Sequence, residues 1–107
     1  MITWITGQSK SGKTTLAKKL VGDGILLDGD IMRQTICRGL GFSKEDRIKN
    51  NMRIARLAKE LDGQGFEVVV STICPYKELR DDIYKLTGCR FIYLEGGIQS
   101  KDYPYEI

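Results

Sequence analysis

The sequence predicts an open α/β sandwich of three layers, in which a mainly parallel sheet of about four strands lies between helices. Short apolar runs alternate along the chain with segments of helical periodicity, the order typical of β-α units. The run FEVVVSTI, residues 66–73, is apolar almost throughout, which indicates a strand buried on both faces by covering helices. A glycine-containing turn, residues 7–12, follows the first apolar run directly. We expect right-handed connections between these strands.

The first half of the chain predicts two strands and two helices. Residues 2–6 are rich in β-branched and aromatic side chains and end at Gly7, so they predict a buried strand. A helix is expected from Lys13 to a stop at Gly22. Its apolar stripe consists of Leu16, Ala17, Leu20 and Val21. The run ILLDGD, residues 25–30, predicts a second strand, and residues 30–38 predict a second helix.

The second half predicts a long helix, a strand, a further helix and a last strand. Ser43 is expected to cap the long helix, with Asp46 completing a capping box in place of Glu or Gln, and Gly63 ends it. Its helically spaced apolar residues are Ile48, Met52, Ala55, Ala58 and Leu61. Residues 66–73 form the third strand, residues 75–86 a helix, and CRFIYLE, residues 89–95, the fourth strand. The last dozen residues predict no regular element.

Composition narrows the function classes. At 107 residues, the chain is expected to form a single domain, residues 1–107. The net charge of +3 is too small to argue for a nucleic-acid partner. No apolar stretch approaches the roughly 20 residues of a membrane span and no signal peptide precedes the first strand, so no membrane partner is expected. Three widely spaced cysteines without a Cys-x-x-Cys pair favour a reducing cytoplasm over disulfides or zinc. Because histidine is absent, acid–base chemistry must come from Asp, Glu, Lys or Cys.

The stretch GQSKSGKTT, residues 7–15, predicts a phosphate-binding loop. Its first eight residues fit Gly, any four residues, Gly, Lys and then Ser or Thr. Gly7 and Gly12 permit the tight path that turns successive N–H groups inward, and the helix that follows adds its positive end. Lys13 is expected to contact the outer phosphates of ATP, and the Thr14 hydroxyl to bind Mg²⁺. The expected ATP-binding residues are Gly7, Gln8, Ser9, Lys10, Ser11, Gly12, Lys13, Thr14 and Thr15.

The alternative is a structural turn with an incidental lysine, but the strand before it and the helix after it favour nucleotide binding. Lys10 on its own is more simply an exposed loop lysine than a phosphate contact.

Polar residues after the second strand and at the start of the long helix predict an acceptor site, because ligands of open α/β sheets bind at the carboxyl ends of the strands. Phosphoryl transfer to a hydroxyl asks for a carboxylate near the attacking oxygen, and Asp30 is assigned this role. Arg33 and Arg47 are assigned to the acceptor's anionic groups, because guanidinium forks match sulfate and phosphate oxygens. Phe42 is placed to stack on a base, and Asn50 follows Arg47 at helical spacing.

Structural alternatives to these assignments stay open. Asp28 and Asp30 also fit a helix cap or a ligand of magnesium-bound water. Arg47 also fits a solvated helix charge, and Phe42 a core residue.

Together these residues resemble the adenylylsulfate kinase family of P-loop kinases. The family's G-x-S-x-S-G-K-[ST] is matched by GQSKSGKT, residues 7–14, and its L-D-G-D-x-x-R by LDGDIMR, residues 27–33. G-F-[ST]-x-x-D-R-x-x-N is matched by GFSKEDRIKN, residues 41–50. ICPY, residues 73–76, and DYPYE, residues 102–106, match I-[SA]-P-[YF] and D-x-P-Y-E. Order and rough spacing agree from Gly7 to about Leu94.

The resemblance implies a nucleoside-kinase-like P-loop fold and transfer of the ATP γ-phosphoryl group to the 3′-hydroxyl of adenylyl sulfate, with Mg²⁺, in sulfate assimilation. It implies that Asp30, the base, and Lys13 are catalytic, and that Thr14 and Asp28 bind the metal. The substrate-binding residues it implies are Arg33, Phe42, Arg47, Asn50, Ile73 and Cys74. The family's tendency to dimerise makes a homodimer one alternative for the assembly.

Three features depart from the family pattern. Cys74 stands where the family has Ser or Ala, either as a buried small residue or as an accessible, oxidisable thiol. Lys10 occupies a small-residue position of the loop, where it is expected to crowd or recharge it. Only EGGIQSK, residues 95–101, separates Leu94 from DYPYE, where the family has a basic helical lid, and the family's C-terminal helix is missing after Ile107. We therefore expect an incomplete nucleotide-base pocket.

The sequence leaves several functions open. The first is a kinase that acts on adenylyl sulfate. The second is a kinase for another nucleotide-linked anionic acceptor. The third is an ATP-binding module with little turnover, because lost lid cations reduce transition-state stabilisation. Phosphorylation of nucleic-acid 5′ ends is less well supported, because the basic residues are scattered along helices.

Overall fold

The computed structural model describes all 107 residues and shows one sheet of four parallel strands. The strands are β1 (Ile2–Gly7), β2 (Ile25–Asp28), β3 (Val68–Thr72) and β4 (Arg90–Leu94). Their order across the sheet is β2-β3-β1-β4. The helices are α1 (Lys13–Val21), α2 (Gly29–Gln34), α3 (Lys44–Gly63) and α4 (Lys77–Thr87). The predicted α/β class with a parallel four-stranded sheet is confirmed.

Helices cover both faces of the sheet, which gives the three predicted layers. Trp4 of β1 is fully buried in the larger apolar cluster, formed with side chains of β3, α3 and α4 such as Val70, Ile54 and Ile83. The next residue, Ile5, is buried in a second cluster with Ala17 of α1. Because neighbouring side chains of a strand point to opposite faces, β1 carries the core of both layers.

Several local predictions were wrong at element ends. The second helix stops at Gln34 and not at residue 38, because the Thr35 hydroxyl donates to the Ile31 carbonyl at 3.0 Å and turns follow. Leu20 of the predicted apolar stripe is exposed. Ser43 does cap α3, accepting from the Asp46 amide at 3.1 Å. However, the Asp46 carboxylate accepts from the Gly41 amide at 2.8 Å, so the reciprocal half of the capping box is absent.

The residues after β4 form no helix or strand, as predicted, yet they pack onto the domain. Tyr105 stacks on Tyr93 with ring centroids 4.1 Å apart. Arg80 of α4 donates to the Cys74 carbonyl at 2.7 Å and to the Glu106 carbonyl. The Glu106 amide in turn donates to the Pro75 carbonyl at 2.8 Å. This segment therefore lies against the carboxyl ends of the strands.

No helix of the chain combines the length and the apolar character that crossing a bilayer requires.

Candidate active site

The phosphate loop joins β1 to α1 and ends directly in the first helical residue, Lys13. Gly12, at the N-cap, has a φ of 95° and no side-chain cap, so the first amides of α1 are not occupied by a capping side chain. The Lys13 ammonium donates to the Gln8 carbonyl at 2.7 Å. Burial lowers the pKa of Lys13, while the nearby charges of Asp30 and Asp28 oppose that shift. The loop therefore offers an anion free amides and a cation at one helix end.

Thr14 and Asp28 meet beside this loop. The Thr14 hydroxyl donates to Asp28 Oδ2 at 3.0 Å, and Asp28 Oδ1 accepts from the Asp30 amide at 2.9 Å. Asp28 is thus the N-cap of α2, as one alternative predicted, while its second oxygen faces the hydroxyl. A hydroxyl and one carboxylate suit magnesium, which is commonly held by one or two carboxylates, waters and substrate phosphates. No group of three or more His, Cys, Asp or Glu forms an all-protein metal cage.

A cavity of about 420 Å³ extends from the phosphate loop to the start of α3. It brings together most of the predicted site residues with some that were not predicted. The residues that line it are Ser9, Lys10, Gly12, Lys13, Thr14, Thr15, Asp28, Gly29, Asp30, Arg33, Phe42, Arg47, Asn50, Ser71, Thr72, Ile73 and Tyr103.

Two arginines and an aromatic ring form the far half of the cavity. Arg47 is only 4% exposed, and its Nε donates to the Phe42 carbonyl at 2.9 Å, so it is not a solvated helix charge. Phe42 is 68% exposed and is not a core residue. The Arg33 guanidinium lies 4.4 Å from the centre of the Phe42 ring and donates to the Gly41 carbonyl at 2.9 Å. Burial, and then the neighbouring charge of Arg47, lower the pKa of Arg33.

Asn50 contributes a hydrogen-bond acceptor that has no partner in the chain. Its side chain is 3% exposed, and its Oδ1 atom accepts no hydrogen bond. A buried carbonyl oxygen without a donor is unfavourable by about 1–3 kcal/mol, so it favours an N–H or O–H group in the cavity.

Some predicted site residues lie outside the cavity lining. Cys74 is fully buried, and burial raises the pKa of its thiol to about 12, so it is the buried small residue and not the accessible thiol of the two alternatives. Gly7, Gln8 and Ser11 of the loop lie behind the lining, with Gln8 also buried. Lys10, by contrast, does line the cavity, where it is exposed at the rim and adopts a left-handed backbone with φ 61°.

Residues that the sequence interpretation missed support the site from behind. The Trp4 indole donates to the Thr72 hydroxyl at 2.9 Å, which donates to Asn51 Oδ1 at 2.9 Å. Asn51 Nδ2 donates to the carbonyls of Arg47 at 3.0 Å and Ile73 at 3.4 Å. Polar residues within the otherwise apolar run FEVVVSTI were the available signal. Tyr103 was also missed, because its place within the DYPYE motif was the only signal for it in the sequence.

A parallel sheet whose first strand leads through a glycine-containing loop and Lys-Thr into a helix defines a P-loop kinase fold. The family model described as adenylylsulphate kinase matches residues 1–99. The chain therefore belongs to the adenylylsulphate kinase family.

Relatives and solved structures agree with this membership. An adenylyl-sulfate kinase of Microcystis aeruginosa is 44% identical over 87 residues, covering 75% of this chain and 48% of the relative. A hexameric APS kinase from Thiobacillus denitrificans superposes with a TM-score of 0.83 at 31% identity, over 99% of this chain and 23% of that one. A Mycobacterium tuberculosis APS kinase in complex with AMPPNP and APS superposes with a TM-score of 0.74 at 33% identity, over 86% and 59%. The chain spans about half the length of the curated relatives it matches.

Proposed function

We propose that residues 1–107 act as one kinase domain that transfers the γ-phosphoryl group of ATP to the 3′-hydroxyl of adenylyl sulfate. The observation that carries this proposal is the single cavity that the phosphate loop shares with Arg33, Phe42, Arg47 and Asn50. A donor and an acceptor bound in its two halves would lie within one enclosure, as in-line transfer requires. The related structure that holds both AMPPNP and APS supports this pairing of ligands.

The donor half has the groups that bind a triphosphate. Amides at the start of α1 and the Lys13 ammonium, released from the Gln8 carbonyl, would hold the phosphates. Thr14 and Asp28, already in contact at 3.0 Å, would hold Mg²⁺. Bound there, the metal would neutralise the charge that develops on the transferred phosphoryl group.

The acceptor half has the groups that recognise an anionic nucleotide. Phe42 presents an open face for stacking on a base. Arg33 and Arg47 provide cations for sulfate and phosphate oxygens. The unpartnered Oδ1 of Asn50 would accept from an amino or hydroxyl group of the acceptor.

Asp30 lines the cavity and is the exposed carboxylate we assign as the base. Its backbone amide donates to the Asp28 carboxylate, which holds the residue in a defined position in the first turn of α2. The isosteric change Asp30→Asn removes the charge and keeps the shape. We expect kcat to fall by about 10²–10⁴-fold with little change in KM for ATP. A fall in kcat of less than fivefold would contradict this role.

The transfer itself is tested by incubating the protein with ATP, Mg²⁺ and adenylyl sulfate and separating the nucleotides by chromatography. A 3′-phosphorylated product is expected from the unmodified chain and not from Lys13→Ala. Lys18→Ala is the matched control, because Lys18 is an exposed lysine in the last turn of the same helix. Equal product from Lys13→Ala and Lys18→Ala would refute the proposal.

One observation favours a broader acceptor range. Because Phe42 is 68% exposed, only one side of a stacked base would be covered by it. Another nucleotide-linked anion is therefore our second candidate acceptor, tested by ATP consumption across a panel of nucleotides. ATP affinity without turnover of any acceptor would instead indicate an ATP-binding module.

We further propose a cytoplasmic location, supported by three cysteines that are all free thiols. We propose a homodimer as the assembly. Specific activity that rises with protein concentration would support it, whereas a monomeric mass with constant specific activity would contradict it.

A further inference from the structure

A segment that follows β4 and reaches into the DYPYE motif runs beside the phosphate loop. We name residues 96–103 the strap. The Ile98 amide donates to the Ser9 carbonyl at 2.7 Å, which forms an isolated antiparallel bridge between strap and loop. Gln8 is 1% exposed, and its Nε2 donates to the Tyr103 carbonyl at 3.3 Å. Two residues of the strap, Ile98 and Tyr103, are therefore hydrogen-bonded to consecutive residues of the loop.

The strap lies close enough to the loop that a side chain is excluded at one position. Gly97 has a φ of 73°, and a Cβ atom added there would lie 2.8 Å from the Ser11 amide nitrogen and closer still to the Ser9 carbonyl oxygen. Glycine is thus required by both the backbone conformation and the lack of space.

The last residue of the strap reaches the acceptor half of the cavity. The Tyr103 ring lies over the Arg47 guanidinium, with Cζ 3.6 Å from the ring centre. Phe42 approaches the same guanidinium from 5.4 Å. Two aromatic rings therefore contact a cation that is only 4% exposed.

These contacts leave a defined part of Arg47 for a ligand. Its Nε is used by the Phe42 carbonyl, whereas its two terminal nitrogens donate no hydrogen bond within the chain. A guanidinium packed against rings presents its N–H groups in its own plane, the direction in which sulfate and phosphate oxygens bind.

We propose that Tyr103 is a positioning residue, whose ring orients the Arg47 fork toward the oxyanion of the acceptor while the strap ties that orientation to the phosphate loop. The identity of the acceptor in this inference rests on the proposed function, whereas the contact between Tyr103 and Arg47 is independent of it. The class of ligand group recognised is a tetrahedral oxyanion carried by the acceptor, distinct from the phosphates of ATP at Lys13.

The test uses the full chain and calorimetry with two ligands, adenylyl sulfate and a non-hydrolysable ATP analogue. Tyr103→Leu removes the ring and should weaken adenylyl sulfate binding by about 5–30-fold, the range of a desolvated cation–π contact. Affinity for the ATP analogue should change by less than about twofold, since the Gln8 bond is to the backbone of Tyr103. Tyr103→Phe keeps the ring and should restore adenylyl sulfate affinity. Tyr84→Leu, at an exposed tyrosine of α4, is the matched control for the substitution itself.

A readout that needs no acceptor keeps this inference separate from the proposed function. The Arg47 Nε–H resonance should be shifted by the ring current of Tyr103, retain that shift in Tyr103→Phe and lose it in Tyr103→Leu. Titration with inorganic sulfate should move this resonance more weakly in Tyr103→Leu.

The outcomes are distinguishable. Unchanged adenylyl sulfate affinity in Tyr103→Leu, or an equal loss of ATP-analogue affinity, would overturn the positioning role. If the unmodified chain binds the ATP analogue but not adenylyl sulfate, the proposed acceptor is wrong. In that case the inorganic sulfate titration tests the positioning role on its own. Equal responses of the Arg47 resonance in Tyr103→Leu and in the unmodified chain would overturn that role.

Discussion

The hydroxyl of Thr72 holds a buried polar chain together, and its removal should destabilise the domain strongly. It accepts from the Trp4 indole and donates to Asn51 Oδ1, each at 2.9 Å. Thr72→Val replaces the hydroxyl with a methyl group and keeps the side-chain shape. The change therefore leaves two buried groups, one donor and one acceptor, without a partner.

The expected magnitude follows from those two groups. Each buried polar group that loses its partner costs about 1–3 kcal/mol, so the two together predict a loss of roughly 2–6 kcal/mol in the free energy of unfolding. The total for a domain of this size is on the order of 5–15 kcal/mol, so the change is a large fraction of it. The corresponding drop in melting temperature is roughly 10–25 °C.

Urea denaturation followed by Trp4 fluorescence measures this loss, with Thr3→Val as the matched control. Thr3 is a buried threonine of the neighbouring strand β1, and its hydroxyl takes part in no hydrogen bond of the structure. We expect Thr3→Val to lie within about 0.5 kcal/mol of the unmodified chain. A difference between the two variants of less than about 0.5 kcal/mol would refute the hydrogen-bond reasoning.

Three further predictions concern other buried groups. Arg80→Ala should lower the free energy of unfolding by about 2–3 kcal/mol, because charged hydrogen bonds to two carbonyls are lost. Lys77→Ala, which removes the exposed ion pair with Asp81, should lower it by less than about 1 kcal/mol, and equal effects of the two changes would contradict this prediction. Because burial raises the pKa of Cys74 to about 12, its thiol stays protonated at neutral pH, and a thiol reagent should label none of the three buried cysteines before unfolding and all three afterwards. Burial lowers the pKa of Lys13, so as the pH is raised its ammonium loses its proton before pH 10.5 is reached. Affinity for an ATP analogue should therefore begin to fall before pH 10.5, and affinity that stays flat up to pH 10.5 would contradict this prediction.

The sequence was sufficient for the sheet and the long helix because those elements depend on local patterns. The four apolar runs form the four strands, and α3 begins directly after Ser43 and ends at Gly63, as expected. The end of α2 was mispredicted because the Thr35 side chain competes for backbone carbonyls, which apolar periodicity does not register.

Site residues were predictable where a motif names them and not where tertiary contact does. Arg33 and Phe42 fell within matched motifs, and the structure brings them to one cavity. Tyr103 contacts Arg47 although 56 positions separate them in the chain, so neither their sequence spacing nor their residue types could predict the contact. The structure brings Lys13 and Asp30 to the same cavity, whereas Cys74 lies outside its lining, and the roles of the site residues stay predictions for the experiments above to test.

Apolar periodicity located α3 correctly but identified only part of the face that the helix buries. The predicted stripe began with Ile48 and Met52, which are only partly buried. The prediction is confirmed for two alanines of that stripe, and the other buried residues of the helix were missed. The stripe that α3 buries consists of Arg47, Asn50, Asn51, Ile54, Ala55 and Ala58.

The same stripe is polar over its first two turns and apolar beyond. Buried polar side chains are tolerated there because Arg47 and Asn51 bond to the carbonyls of Phe42 and Ile73. Asn50 Oδ1 is the exception, since it has no donor within the chain. A helix with polar residues on its buried face at one end, and with one buried oxygen unpaired, is less stable than the same helix with an apolar buried face throughout. A ligand that supplies the missing donor would offset that deficit, which ties the instability of this turn to the binding of an acceptor.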